Sequence, residues 1–457
     1  MNNLSIKALG ALCIVMRLLG PPDAIADAPP EILYMAVSDA VQLALEQGVE
    51  ADLVREEVTI AEAQVGVVRS LAIPRVSLEA GYRHNLMRPV IFFPDEDGNT
   101  QSIEIGRDSD FRAGLTLRQP VYAFGRLRNA LRSANTGAEA TRLAGDFAAA
   151  EIALAVKTAY YQALFAHEQA RIAELSLEQL ERSADQIGKL TNKGLRSEFE
   201  KLRSDVAVAN RRPAVAASAN ERTIALENLK RLLGLPLDEV IVLTDSLMYS
   251  PLSISRESAV EQAIALRKDV ASARTQVAAS EEMLRAQAAN DRPLLFLDGN
   301  YNWQGQTSTG ITLGNDEIAQ SAFIGLSLSW PVFDGLENRY RTQQARANWR
   351  KAEFRLRKLE DEARLELRST WTRLESVIEE LAGTEEAIAL AERSYHLAQV
   401  RFEAGIATLL DVLDSELALT RARLVRLEEL FRYSVLLAEL ETQTGLGPDL
   451  TPGRSGH

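Results

Sequence analysis

One offset organises this sequence. FRAGLTLRQPVYAFGR (Phe111–Arg126) recurs as AFIGLSLSWPVFDGLENR (Ala322–Arg339), which puts Pro331 211 residues after Pro120. The same spacing separates Gly194 (NKGLRSEFEKL) from Gly405 (EAGIATLLDVL), and Gly234 (LLGLP) from Gly445 (QTGLGP). Upstream, IPRVSLEAGY resembles RPLLFLDGNY at an offset of 219 residues through Pro74 and Pro293. Chance explains one such match, but not four in the same order, so the chain holds two copies of one structural unit.

Each copy repeats one order of elements. A short amphipathic helix comes first (Ser38–Gln47; Ser258–Leu266), then a second helix ending before Pro74 or Pro293. A strand of period two follows, with Val76, Leu78, Ala80 and Tyr82 on one face, and Leu295, Leu297, Tyr301 and Trp303 in the second copy. A polar loop (Arg83–Asp110; Gln304–Gln320) leads to a returning strand whose apolar face is Phe111, Ala113, Leu115 and Leu117, or Ala322, Ile324, Leu326, Leu328 and Trp330. Its other face carries Arg112, Thr116 and Arg118, or Ser327 and Ser329. Pro120 and Pro331 are expected to stop strand pairing. Unbroken helices over 125–192 and 335–403 come next, each on the order of 100 Å long at the rise of an α-helix. A glycine turn (Gly194; Gly405) reverses each into a helix of about 40 residues that stops at Gly234 or Gly445.

Helices this long must bury apolar stripes in a bundle. A soluble antiparallel coiled coil with incidental hairpins would satisfy that, and so would a membrane protein. The hairpins separate the two. Strands of about ten residues, apolar on one face and with Tyr and Trp at the ends, match transmembrane barrel strands with aromatic girdles. Tyr82, Tyr301, Trp303 and Trp330 are the expected membrane-interface residues. Four strands are too few to close a barrel and lipid forbids open edges, so several chains would have to share one.

Composition adds exclusions. The formal charge of −13, from 51 basic and 64 acidic residues, argues against a nucleic-acid partner. Lys7, the apolar run Ala8–Met16 and the ADA at Ala26–Ala28 read as an export signal over 1–28, although Arg17 interrupts its apolar core. Cys13, the only cysteine, lies inside it, so no disulfide is expected in the mature chain. His84, His167, His396 and His457 are scattered without metal-ligand spacing, and no phosphate loop, nucleophile elbow or HExxH occurs. No cofactor and no enzymatic chemistry are expected.

Two stretches, LSLSWPVFDG (Leu326–Gly335) and FEAGIATLLDVLDSELALTRARL (Phe402–Leu424), together with the duplicated order, resemble the TolC family of bacterial outer-membrane channels. The resemblance covers Val37–Pro448. It implies a homotrimer in which each chain gives four strands to a shared 12-stranded β-barrel, continued across the periplasm by an α-helical barrel. It also implies a passive exit duct in the outer membrane, docked at the turns around Gly194 and Gly405 by a periplasmic adaptor and served by an inner-membrane pump. The alternatives are the exit duct of a type I protein secretion system and a periplasmic coiled-coil scaffold without a pore.

At the second turn, Asp411 and Asp414 lie three residues apart and share a helix face. By the resemblance they match the aspartates of a periplasmic constriction, where acidic rings favour cations. Capping competes for Asp411, since Thr408 is a natural N-cap with Asp411 three residues on, and Ser197 and Glu200 hold the same places in the first copy. Capping does not account for Asp414. The family's tyrosine–arginine lock falls on Phe402 and Ala407, so that polar lock is missing. Arg203, matched to Asp414 by the repeat offset, is expected to pair with an acidic residue of the second copy at the tip.

The resulting division is a signal over 1–28, a first repeat over 29–250, a second over 251–448 and a disordered tail over 449–457. Helices are expected within 38–73, over 125–192 and over 197–233 in the first repeat, with strands at 75–83 and 110–121. In the second they are expected within 257–291, over 335–403 and over 408–444, with strands at 293–304 and 321–333.

Overall fold

The computed structural model describes residues 32–94, 98–251, 264–308 and 318–445. The expected signal, Cys13, His457, the tail and the start of the helix expected from Ser258 lie outside the described residues. In chain order the elements of the first half are β1 (Ile32–Met35), α1 (Val37–Gln47), α2 (Val49–Ser70), β2 (Arg75–His84), β3 (Val90–Pro94), β4 (Thr100–Glu104), β5 (Ser109–Tyr122), α3 (Arg126–Asn192), α4 (Glu198–Leu233) and β6 (Val240–Leu243). The second half follows with α5 (Lys268–Ala288), β7 (Leu294–Thr307), β8 (Ile318–Ser329), α6 (Glu337–Glu403) and α7 (Leu409–Thr444).

Helices α3 and α6 each run for 67 residues, with no proline to interrupt the ladder. Their partners α4 and α7 are 36 residues each, although α4 tolerates Pro213 in its interior. The described chain forms two compact units, each drawing on both repeats. One holds the residues up to Gly48 with 156–248 and 386–431, and the other holds 49–155, 249–385 and the residues from Arg432.

The second unit contains the four-stranded sheet, ordered β2-β5-β7-β8 and antiparallel throughout. Its register aligns the apolar positions of all four strands. Val76, Leu117, Gly299 and Ile324 form one row, and Leu78, Leu115, Tyr301 and Ala322 the next. The rows between them, such as Arg75, Arg118, Asp298 and Gly325, make the opposite face mostly polar. Leu78 (67%), Ile324 (73%) and Leu326 (68%) are exposed, so the apolar face is left uncovered among the described residues. β2 and β8 are edges whose outer backbone groups have no strand partner among the described residues.

Aromatic rings stand at both ends of that face. At one end Tyr82 lies 4.9 Å from Phe111, and Tyr301 lies 4.4 Å from Trp303. The hydroxyl of Tyr301 hydrogen-bonds Gln320 at 2.9 Å, and that of Tyr82 lies 3.1 Å from the Ser109 hydroxyl. At the other end, past the last residue of β8, Trp330 donates its indole N–H to the Asp291 carbonyl at 3.1 Å. Tyr122 and Phe124 sit edge to face at 4.6 Å near the same level. Between Trp303 and Leu295 of β7 the apolar face runs about 27 Å at the rise of a β-strand.

Three expectations about the strands need correction. Pro120 does not end its strand. It pairs with Phe296, and the register shifts between Pro120 and Tyr122, so the missing N–H is absorbed as a bulge. The segment expected as a polar loop between the first pair of strands contains the β3–β4 hairpin, because Val90–Phe93 is a β-branched and aromatic run and Gly98 takes φ +81° beside the turn. β7 and β8 reach Thr307 and Ile318, further into the second loop than expected, since Gln and Asn on one face leave the backbone ladder intact.

Within the second unit, Leu367, Trp371, Leu374 and Val377 of α6 face Tyr433, Leu436, Leu437 and Leu440 of α7. Spacings of three and four put each set on one stripe, and burying one such Leu is worth about 2 kcal/mol. In the first unit β1 pairs in parallel with β6, two short strands that hydropathy patterning did not reveal. Tyr160 is fully buried beside them. Its hydroxyl donates to the Met35 carbonyl at 2.8 Å and accepts the Asp245 N–H at 3.3 Å. Asp245, two residues past the end of β6, in turn accepts the Val37 N–H at 2.7 Å and so secures the start of α1.

Candidate functional site

Both long helices end in the same turn. Gly194 adopts φ +72° and Gly405 φ +76°, a left-handed conformation that side chains resist. The Gly194 N–H reaches the Thr191 carbonyl at 2.8 Å and the Leu195 N–H that of Leu190 at 2.9 Å. In the second copy Gly405 donates to Phe402 at 3.0 Å and Ile406 to Arg401 at 2.8 Å. These are two Schellman stops 211 residues apart.

The helices that leave the turns also start alike. Ser197 accepts the Glu200 N–H at 3.2 Å, while Glu200 accepts the Ser197 N–H at 3.1 Å. Thr408 accepts the Asp411 N–H at 3.3 Å, and Asp411 accepts both the Thr408 N–H and its hydroxyl at 2.7 Å. Donation from the Thr408 side chain, then its backbone, with Arg401 adding a smaller attraction, holds the Asp411 carboxyl below the usual carboxylate range. Asp411 is therefore a cap.

Asp414 behaves differently. It is exposed, one turn further along α7, and has no hydrogen bond or ion pair among the described residues. Leu409, Val412 and Glu416 point inward on the other side of α7. Asp411 and Asp414 thus share the open face of an amphipathic helix.

Arg203 does not form the ion pair expected of it. It is exposed and makes no ion pair within the described chain. At the turn itself, Arg196 bridges the copies: its guanidinium lies 4.1 Å from the centroid of the Phe402 ring and donates to the Phe402 carbonyl at 2.5 Å. Glu200 flanks it at 3.5 Å. Phe402 is itself 7% exposed and packs with Ile187, Leu409 and Val412. The pair joins the turn of the first copy to the last residues of α6. The sequence held a signal for it, because the repeat partner of Arg196 is Ala407 and only one turn has a cation there.

A second missed residue is Glu416, 3% exposed two turns into α7. It accepts the Ser176 hydroxyl and the Thr420 hydroxyl (2.9 Å), and pairs with Arg211 at 3.2 Å. Tyr395 lies near, and burial, reinforced by the charge of Glu416, pushes its phenol up. Glu416 falls on the buried stripe Leu409–Val412–Glu416–Leu419, the place on the wheel where a carboxylate is out of pattern.

The two turns differ in charge. Over 189–203 the first copy carries Lys189, Lys193, Arg196, Lys201 and Arg203 against Glu198 and Glu200, a formal +3. Over the matching 400–414 the second carries Arg401 against Glu403, Asp411 and Asp414, a formal −2.

The duplicated helix–turn–helix and the four-stranded sheet correspond to a known family. The match to the family described as "Outer membrane efflux protein" spans residues 41–235 and 259–445, one segment in each repeat. The chain belongs to that family. Among outer membrane efflux proteins, the outer membrane protein TolC of Vibrio cholerae serotype O1 is 23% identical over 393 residues, 83% of each chain. The pyoverdine export outer membrane protein OpmQ of Pseudomonas aeruginosa is 26% identical over 344 residues, 74% of this chain and 69% of that protein. The solved structure of the Campylobacter jejuni CmeC outer membrane channel superposes with a TM-score of 0.74 at 17% identity, covering 92% of this chain and 87% of that one, a likeness of fold. The protein is thus an outer-membrane protein of the efflux type, and its family provides the outer-membrane component of tripartite pumps that work with adaptor proteins.

Proposed function

We propose that this chain forms a homotrimeric, passive exit duct through the outer membrane, gated at its helix turns. The observation that carries the reading is the sheet, with one continuous exposed apolar face, aromatic rings at both ends and two unpaired edges. Lipid suits that face, but open edges are not tolerated there. Three copies of four strands close a barrel of twelve, with β2 of each copy beside β8 of the next. The polar face then lines the lumen.

The duct performs no covalent chemistry. Its work is selection and gating, with the energy supplied by the inner-membrane pump and the turns at Gly194 and Gly405 presented to the periplasmic adaptor. Asp411 and Asp414 form two stacked carboxylate rings at the tip, of which Asp411 also caps its helix and Asp414 is free to meet permeating ions. Carboxylate rings favour cations and bind divalents in preference to monovalents.

Planar bilayers test this with the purified protein. We expect single-channel conductance that divalent cations block from the periplasmic side, and Asp414→Asn relieves the block while leaving the fold intact. A protein without conductance overturns the duct. Equal block in wild type and in the Asp411→Asn/Asp414→Asn double variant reduces both residues to helix-start chemistry.

A further inference from the structure

Where the strands give way to helices in the second unit, the polar side of the sheet borders a half-open cavity of about 540 Å³. Three arginines line it: Arg75 of β2, Arg118 of β5 and Arg126, the first residue of α3. Much of the remaining wall is apolar and includes Leu71, Met283 and Phe296. Arg75 and Arg118 stand in the row that also holds Asp298, which puts the cavity on the side of the sheet away from the exposed apolar face.

The charges of the cavity do not cancel. Arg118 lies 3.4 Å from the Asp298 carboxylate, and its guanidinium stacks on the Phe296 ring at 4.2 Å from the centroid. Arg75 and Arg126 have no acidic partner among the described residues. One carboxylate therefore faces three cations. Guanidinium forks match the paired oxygens of a carboxylate, sulfonate or phosphate, and the volume is that of a small-molecule site. An inorganic anion would leave the apolar wall unused, whereas a neutral apolar molecule would leave the arginines unused.

We propose that this cavity binds a small anionic amphiphile, an acidic head on an aromatic or aliphatic body, taken from the aqueous side of the sheet. The head sits between Arg75 and Arg126. The body lies against Phe296, Met283 and Leu71, with Arg118 held in place by its ring and carboxylate contacts. The inference rests on the reading that the polar face lines the duct, and it adds a chemical class of cargo that the duct retains on its way through.

Equilibrium dialysis of naphthalene-1-sulfonate against the full chain in phosphatidylcholine nanodiscs, with empty discs as the blank, tests it. We expect saturable binding that weakens at least tenfold in Arg75→Gln/Arg126→Gln and by a smaller factor in Arg75→Lys/Arg126→Lys, which keeps the charge but loses the guanidinium fork. Naphthalene-1-methanol, which lacks the charge, should bind weakly and equally to all three. Equal affinity of wild type and the glutamine variant overturns the site, and so does equal binding of the neutral probe. Displacement of the sulfonate by phosphatidylglycerol in the disc would assign the cavity to lipid headgroups and overturn the aqueous source. Single-channel recording on the same preparation separates this from the duct itself. Conductance without arginine-dependent binding sinks only the site, whereas arginine-dependent binding without conductance upholds the site and sinks the duct.

Discussion

Asp411 and Asp414 are the same residue type three positions apart, and their surroundings give them different chemistry. The Asp411 carboxylate accepts the Thr408 hydroxyl and N–H, which holds its carboxyl below the ordinary value, while its own N–H donates back to the Thr408 hydroxyl. A group whose folded pKa is depressed stabilises the fold above its unfolded pKa, and that contribution is lost as pH falls through the folded value. We therefore expect amide protection at the start of α7, corrected for intrinsic exchange, to stay level from neutral pH down to about 4 and to fall below it. In Thr408→Ala protection should be several-fold lower even at neutral pH. Hydrogen exchange by mass spectrometry reads both, and unchanged protection in that variant would remove the cap. The Thr408–Asp411 contact could be read from a local spacing of three. The repeat asymmetry at Arg196 and Ala407 singles out the cation, but not its partner Phe402, because that contact joins residues far apart in the chain and depends on how two turns pack.

At the scale of elements, the long helices were readable because nothing interrupts them. α3 occupies Arg126–Asn192 where 125–192 was expected, and α6 occupies Glu337–Glu403 where 335–403 was expected. Their stops depend on backbone conformation alone. A Cβ added at Gly194 or Gly405 would meet nothing within 4 Å, so the left-handed φ is the whole obstacle. Gly194→Ala and Gly405→Ala should each weaken their turn by about 1 kcal/mol, seen as faster exchange confined to the adjoining helix ends. A larger or more distant effect would mean the turns carry packing that is not visible in the chain. The elements that escaped the sequence reading are short or irregular. β1 and β6 are four residues each and pair across more than 200 positions, and the β3–β4 hairpin flanks the polar PDEDGN stretch that makes its segment read as a loop. Pro120 misled because an isolated rule about proline and strands gives way to a bulge near a sheet's end.

For the whole molecule, the open edges make the sharpest demand. β2 and β8 are separated by β5 and β7, so a cysteine on each lies about 14 Å from the other across the sheet, beyond the reach of a disulfide. In a Cys13→Ser background, Ser77→Cys combined with single cysteines scanned along Ile318–Ser329 should give oxidised dimers and trimers at one or two positions and no intrachain product. Denaturing gels without reductant show the outcome. A scan without any crosslink would mean that β2 and β8 do not meet between copies.

The opposite charge of the two turns has a consequence at a distance. In the proposed ring of copies, basic and acidic turns would alternate and offset most of each other's field, +3 against −2 leaving a formal +1 per copy. The alternating part fades faster than the field of a single charge, and salt shortens both to about 8 Å at physiological ionic strength. The tip would then exert only a weak long-range pull or push on a solute in bulk. Discrimination would be exercised at contact, against whichever solute has already been delivered to the opening.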